Sequence, residues 1–169
     1  MSETDMRKAR NVLAEKERRT IMMTPEAFSR MLEVLNKTFG SAGLSMIYVM
    51  GRERGTFEVN EVLKGIKPSS DEHTKRQLLE RVLQRAGELG WGAMEVTQFD
   101  MLNGAVAIAV RNSPFDVLCR LPDSGYCFFL RGYMAGVVEG IVEQEMCYSG
   151  SKCIALGDDH CEIQLIRTR

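Results

Sequence analysis

Gly132, Gly136 and Gly140 stand four residues apart in the run GYMAGVVEG, and no other feature restricts this chain so tightly. At about 3.6 residues per turn they share one helical face, so another backbone must approach that face closely. Thiols flank the run. Cys127 precedes it, and Cys153 and Cys161 bracket Ala155-Leu156-Gly157-Asp158-Asp159, a turn-rich reversal between apolar alternations that predicts a β-hairpin. Helix, hairpin and thiols are expected to form one unit, and three cysteines gathered by a fold suggest a metal.

The chain has 169 residues, enough for one domain with a buried core and no disulfide staples. Its 22 basic and 23 acidic residues give a net charge of −1, so no overall positive field favours nucleic acid. No apolar run reaches the roughly 18 to 20 residues of a membrane span, and MSETDMRKAR lacks the apolar core of a signal peptide. A cytoplasmic protein is expected. In a reducing compartment its five cysteines read as thiols or metal ligands, and an odd number already leaves one outside any pairing scheme.

Residues 1–17 read as a charged N-terminal arm and 18–169 as the domain. Arg19 to Met23 predicts a short strand. Thr24 as N-cap and Pro25 at the first helical position then open a helix that runs to Gly40 and buries Phe28, Met31, Leu32, Leu35 and Phe39. Leu44 to Met50 reads as a buried strand or a helical turn, interrupted by Gly51 and Gly55. A helix is predicted from about Ser70 to Leu89, capped by Ser69, Ser70 or Asp71 and stopped by Gly90. Ala93 to Phe99 and Ala105 to Arg111 form antiparallel strands turning near Asn103-Gly104, and Pro122 to Gly125 lead into the glycine-bearing helix with Asp123 or Ser124 as cap. Strands with helices packed on them make an α+β domain.

The succession RNSPFDVLC, CFFLRGYMAGVVEG and KCIALGDDHCEI resembles the 4-vinyl reductase domain family. RRTIMMTPEAF, IYVMGRERG and LGWGAMEV stand where that family has its opening strand, its glycine-bearing segment and a mid-domain strand, so the likeness covers roughly residues 18 to 167. It implies a twisted antiparallel sheet packed with helices, similar to Golgi-transport and sensor ligand-binding domains and usually dimeric. Members of the family serve as sensory modules of aromatic-responsive activators, as accessory proteins, or as stand-alone proteins. The chain itself shows no GxGxxG fingerprint and no Ser, His and Asp grouping, so nothing in it marks a reductase or hydrolase site.

Zinc-binding members of the family carry one Cys at the opening of the long helix, E-x-x-C in the next strand, and a last Cys eight residues on. Carried over, this resemblance implies zinc held by Cys127, Cys153 and Cys161, with the carboxylate position on Gly150, a departure from the pattern. Structural zinc takes four ligands, so Cys119, Cys147, His160 or water would have to complete the set. The alternatives are buried apolar thiols or an open thiolate site used in redox chemistry.

The resemblance also places a ligand cavity among aromatic side chains, of which Trp91, Phe99, Phe128 and Tyr148 are the main candidates beside Phe115 and Tyr133. Tyr148 precedes the cysteines near a position that lines the pocket in aromatic-sensing relatives, and its hydroxyl beside an apolar wall suits an aromatic or hydrophobic ligand with one polar group. Arg131, set in an apolar stretch, is a candidate partner for a ligand carboxylate or phosphate; a snorkelling side chain is the other reading. The expectation is a hydrophobic small-molecule sensor or accessory protein. It is a homodimer joined through the glycine-bearing helix or the helix from Ser70, and a regulatory protein partner reads its state. A metal- or thiol-dependent redox protein, or an assembly module without ligand, are the competing expectations.

Overall fold

Thr24 has an extended backbone and its hydroxyl accepts the Ala27 N–H at 3.3 Å, while Pro25 supplies a preset φ, so helix α1 (Pro25–Phe39) begins where the sequence predicts. The computed structural model describes residues 21–64, 67–68, 70–113 and 126–168. The arm at 1–17, Arg19 and Thr20, Ser69, Phe115, Cys119 and the stretch from Pro122 to Gly125 lie outside the described residues. Ile21 to Met23, the described part of the expected first strand, pair with no strand among the described residues and are exposed.

α1 buries Leu32 and Ser29 and packs Phe28 and Leu35 against the core. Met31 and Phe39, expected inside, are 52% and 53% exposed, because the packed stripe is the narrow one through Phe28, Leu32 and Leu35. The chain reverses on Gly40, whose φ is 57°, and enters α2 (Ser41–Leu63).

Gly51 and Gly55 do not interrupt this segment; α2 is one continuous helix through both. Its inner face is an i, i+4 glycine pair set against the glycines of α4 (Tyr126–Val142). A Cβ on Gly51 would overlap the Phe129 carbonyl, and one on Gly55 the Tyr133 carbonyl. Reciprocally, a Cβ on Gly132 or Gly136 would overlap the carbonyl of Tyr48 or Arg52. The close approach implied by the glycine spacing is therefore helix on helix, and it is the most extensive contact between any two elements.

α3 (Glu72–Glu88) is capped by Asp71, whose carboxylate accepts the Thr74 N–H at 2.8 Å, and it buries Leu79, Val82, Leu83 and Ala86, with Leu78 partly buried beside them. Strands β1 (Ala93–Asp100) and β2 (Ala105–Arg111) form the expected hairpin, with Gly104 at φ 64° and the Asp100 carboxylate accepting the Asn103 N–H at 2.9 Å. After α4 come β3 (Met146–Lys152), a short 3-10 turn at Ile154–Leu156, and β4 (Cys161–Arg167). The four strands are all antiparallel in the order β1-β2-β4-β3, which makes this an α+β domain.

α4 lies between α2 and the β4–β3 half of the sheet, and α3 packs on β1. From Gly132 to Val138 α4 is buried throughout, so it is not available as a seam between copies. Three hydrogen bonds secure its end: the buried Lys75 ammonium donates to the Val142 carbonyl at 3.1 Å, and the Glu139 carboxylate accepts from Arg52 at 2.6 Å and from the Met146 N–H at 3.0 Å. No helix among the described residues is long and apolar enough to cross a membrane.

Candidate thiol and aromatic site

The first turn of α4 and the end of β3 bring Cys127 and Cys153 together, with their sulfurs 3.6 Å apart. Cys153 is held by its own backbone. Its N–H donates to the Asp158 carboxylate at 2.7 Å, and its carbonyl accepts the N–H groups of Leu156 at 2.8 Å and Asp158 at 3.3 Å. The tight turn needs Gly157 at φ 101°, a region that L side chains rarely adopt. Cys161 begins β4 opposite Val110 and lines the same void of about 10 Å³, together with Leu130, Arg131 and Ile163. That space is enough for about one water-sized sphere. None of the four described cysteines is in a disulfide.

A tetrahedral zinc thiolate with bonds of about 2.3 Å has sulfur–sulfur edges of about 3.8 Å, close to the spacing of this pair. Two ligand positions therefore fit zinc. Among the described residues, however, no three His, Cys, Asp or Glu side chains are gathered as a metal set. Cys147 is exposed on β3. The buried His160 ring is bonded to the Asp159 carboxylate at 2.6 Å and so holds that carboxyl below its usual range. Gly150 is paired with Gln164, and a Cβ there would sit 3.3 Å from the Gln164 side-chain oxygen. Cys161, Ile163 and Leu165 occupy the other, buried face of β4, so a carboxylate at position 150 would point away from the thiols. The register shift between Tyr148 and Gly150 causes this, and spacing alone does not reveal it.

Phe128, Arg131 and Tyr148 do come together. The Arg131 guanidinium lies 4.3 Å from the centre of the Tyr148 ring and 5.4 Å from that of Phe128, on the border of the thiol void. Phe99 is a buried core residue of β1, paired opposite Val106. Trp91 belongs to a separate cluster, stacked on Phe129 and Tyr133 with both centroids 5.8 Å away. Phe28 meets Phe129 edge-on at 4.9 Å and Trp91 at 6.3 Å. Neighbouring positions 128 and 129 point into these two groups because successive residues on a helix lie about 100° apart.

Glu58 went unnoticed in the sequence. It is 3% exposed, receives Arg85 at 3.1 Å, and pairs with Arg54 one turn away on its own helix. Burial pushes the Tyr133 phenol well above its ordinary value, and the Glu58 carboxylate adds to the shift. An E-R-x-x-x-E pattern on a helix was visible, but Arg85 arrives from α3, which no local spacing indicates.

Four antiparallel strands with a buried glycine-bearing helix behind them define a fold found in sensory, trafficking and 4-vinyl reductase domains. No protein-family model and no curated protein sequence matches the chain. Among solved structures, the phenol-responsive sensory domain of the transcription activator PoxR, with phenol, superposes with a TM-score of 0.70 at 18% identity, covering 89% of this chain and 78% of that one. A vinyl-4-reductase family protein from Methanocaldococcus jannaschii gives 0.55 at 20% identity over 91% of this chain and 86% of the other. Subunit 3 of a trafficking protein particle complex from Naegleria fowleri, covalently bound to palmitic acid, gives 0.60 at 19% identity over 86% and 95%. At these identities the likeness establishes the fold.

Proposed function

We propose that this protein is a sensor or accessory module for a small hydrophobic or aromatic molecule carrying one polar or anionic group. The observation that carries the reading is Arg131, a cation stacked on Tyr148 and Phe128 at the border of a space lined by Leu130, Ile163, Lys152 and the three cysteines. Its guanidinium and the Tyr148 hydroxyl supply polar recognition and the aromatic faces the apolar wall, and because the space beside them holds about one water-sized sphere, the ligand enters only when this region opens. The phenol bound by the PoxR domain is a ligand of this chemistry. Binding shifts a conformational population that a protein partner reads.

In the same reading zinc is held by Cys127 and Cys153, with Cys161 from the wall of their common void, and it pins the first turn of α4 to the sheet. The protein acts as a homodimer. Its seam is the outer face of α1 and α2, where Met31, Val34, Met46, Val49 and Phe57 are exposed beside Met50. With Phe39 these side chains expose on the order of 700 Å², near the roughly 800 Å² per partner of a standard interface.

Thermal unfolding with phenol, benzoate and palmitate tests the ligand reading. Stabilisation by at least one of them is expected, reaching about 2.7 kcal/mol at a hundredfold excess over Kd. Arg131→Leu should remove the response to benzoate more than the response to phenol. No shift across these probes and a wider lipid, porphyrin and aromatic panel would leave an assembly module as the better description. Zinc is tested by metal content: about one per chain is expected, lost in Cys153→Ser.

A further inference from the structure

We infer that Cys127 and Cys153 form a reversible disulfide, so that the thiol site is also a redox-modified one. The inference uses the thiols assigned above to zinc but needs only their proximity, and the two states exclude each other. The sulfurs are already 3.6 Å apart, and closing to a bond of about 2.05 Å asks for about 1.5 Å of approach. Cys153 is preset for this by the three backbone hydrogen bonds that fix its turn.

The difference in exposure orders the steps. Cys127 is part-exposed and meets the oxidant, whereas Cys153 is only 5% exposed. With a low-molecular-weight disulfide as oxidant, the Cys127 sulfur attacks one sulfur of the small molecule, whose S–S bond breaks and releases one thiol. The Cys153 sulfur then attacks Cys127, closes the internal bond and displaces the second thiol. Two protein thiols lose two electrons and two protons, and the small disulfide gains them. The product staples the first turn of α4 to the β3–β4 connection and withdraws two ligands from any metal.

The test treats full-length, chelator-stripped protein with oxidised glutathione. A mass loss of about 2 Da is expected, with a link between Cys127 and Cys153 in the peptide map. Cleavage after Arg120, Arg131 and Lys152 together with cleavage before Asp158 puts Cys119, Cys127, Cys147, Cys153 and Cys161 on separate peptides, so the link is assigned without ambiguity. Cys161→Ser should still form it, and Tm should rise by roughly 10 °C and fall back on reduction. An unchanged mass, or a link that runs to Cys119, Cys147 or Cys161 instead, overturns the inference. The map on the wild-type chain decides the matter even where a variant fails to fold. Zinc measured before stripping separates the two readings. A Cys127–Cys153 link in protein that never held zinc removes the metal alone, and zinc that stays bound in oxidant with no link removes the disulfide alone.

Discussion

Replacing Gly136 by Ala places one methyl group where α2 and α4 leave no room. Its Cβ would overlap the Arg52 carbonyl and lie 2.9 Å from that carbonyl's carbon and 3.0 Å from the Thr56 nitrogen. These are backbone atoms, so no rotamer change relieves the contact, and the helices must part by roughly 1 Å along their most extensive interface. Overpacking costs about 1–3 kcal/mol, and a rigid contact of this kind belongs at or above the upper end; the better helix propensity of Ala returns up to about 1 kcal/mol. The expected net loss is about 2 kcal/mol, or roughly 4–8 °C in Tm for a domain of this size. Gly140→Ala on the same helix is the internal control. The three atoms nearest its Cβ would be Val59 side-chain atoms, at 3.1–3.4 Å, rather than backbone, and these can move by a few tenths of an ångström, so a change within about 0.5 kcal/mol is expected. Urea unfolding followed by far-UV circular dichroism measures both. Equal stability of Gly136→Ala and wild type, or equal losses at the two positions, would refute the backbone-contact argument.

Other expectations follow from single contacts. Hydrogen bonds from the Thr74 side chain and backbone hold the Asp71 carboxyl below its usual range. Its contribution is therefore complete above the unfolded carboxylate value and is lost as pH falls through the lowered folded value. Asp71→Asn should flatten the acid side of the stability–pH curve, as read by unfolding at pH 3 to 7. Lys75→Met removes the cap on the Val142 carbonyl and should cost about 1–2 kcal/mol in chemical unfolding, leaving the secondary structure intact. Phe57→Glu places a charge on the proposed seam and should halve the mass seen by light scattering without lowering helicity; an unchanged mass would remove α2 from the interface. Glu58→Leu removes the buried partner of Arg54 and Arg85, both of which still reach solvent, and should destabilise by about 1–2 kcal/mol, whereas exposed Glu53→Leu should be close to neutral.

Elements whose causes lie within a few residues were legible in the sequence. The Thr24-Pro25 start, the Asp71 cap and the Asn103-Gly104 turn are all local hydrogen-bonding or φ requirements, and the structure meets them. Gly51 and Gly55 misled because their meaning is supplied by α4, far along the chain. An unpaired glycine pair reads as a break, and a paired one as an interface. Position 150 is a related case: residue spacing does not record the register shift that decides which face of β3 it occupies. The grouping of Cys127 with Cys153 was foreseeable from spacing and resemblance. The split between the Arg131 group and the Trp91 group was not, since it depends on how α4 is rotated between α2 and the sheet.

The strand order also governs when the fold can close. β4 is the last of the four strands in chain order, yet it occupies an interior place, joining the β1–β2 hairpin to β3 through pairs such as Ala105 with Ile166. Among the described residues, all four helices and three strands come before the strand that unites the sheet, and so are synthesised first. Until β4 arrives, β2 and β3 each present an open edge of unpaired backbone groups, the surface from which wrong partners are recruited. The domain is therefore most exposed to misassembly in the interval before its thiol-bearing strand docks, and the same event that completes the sheet brings Cys161 to the site.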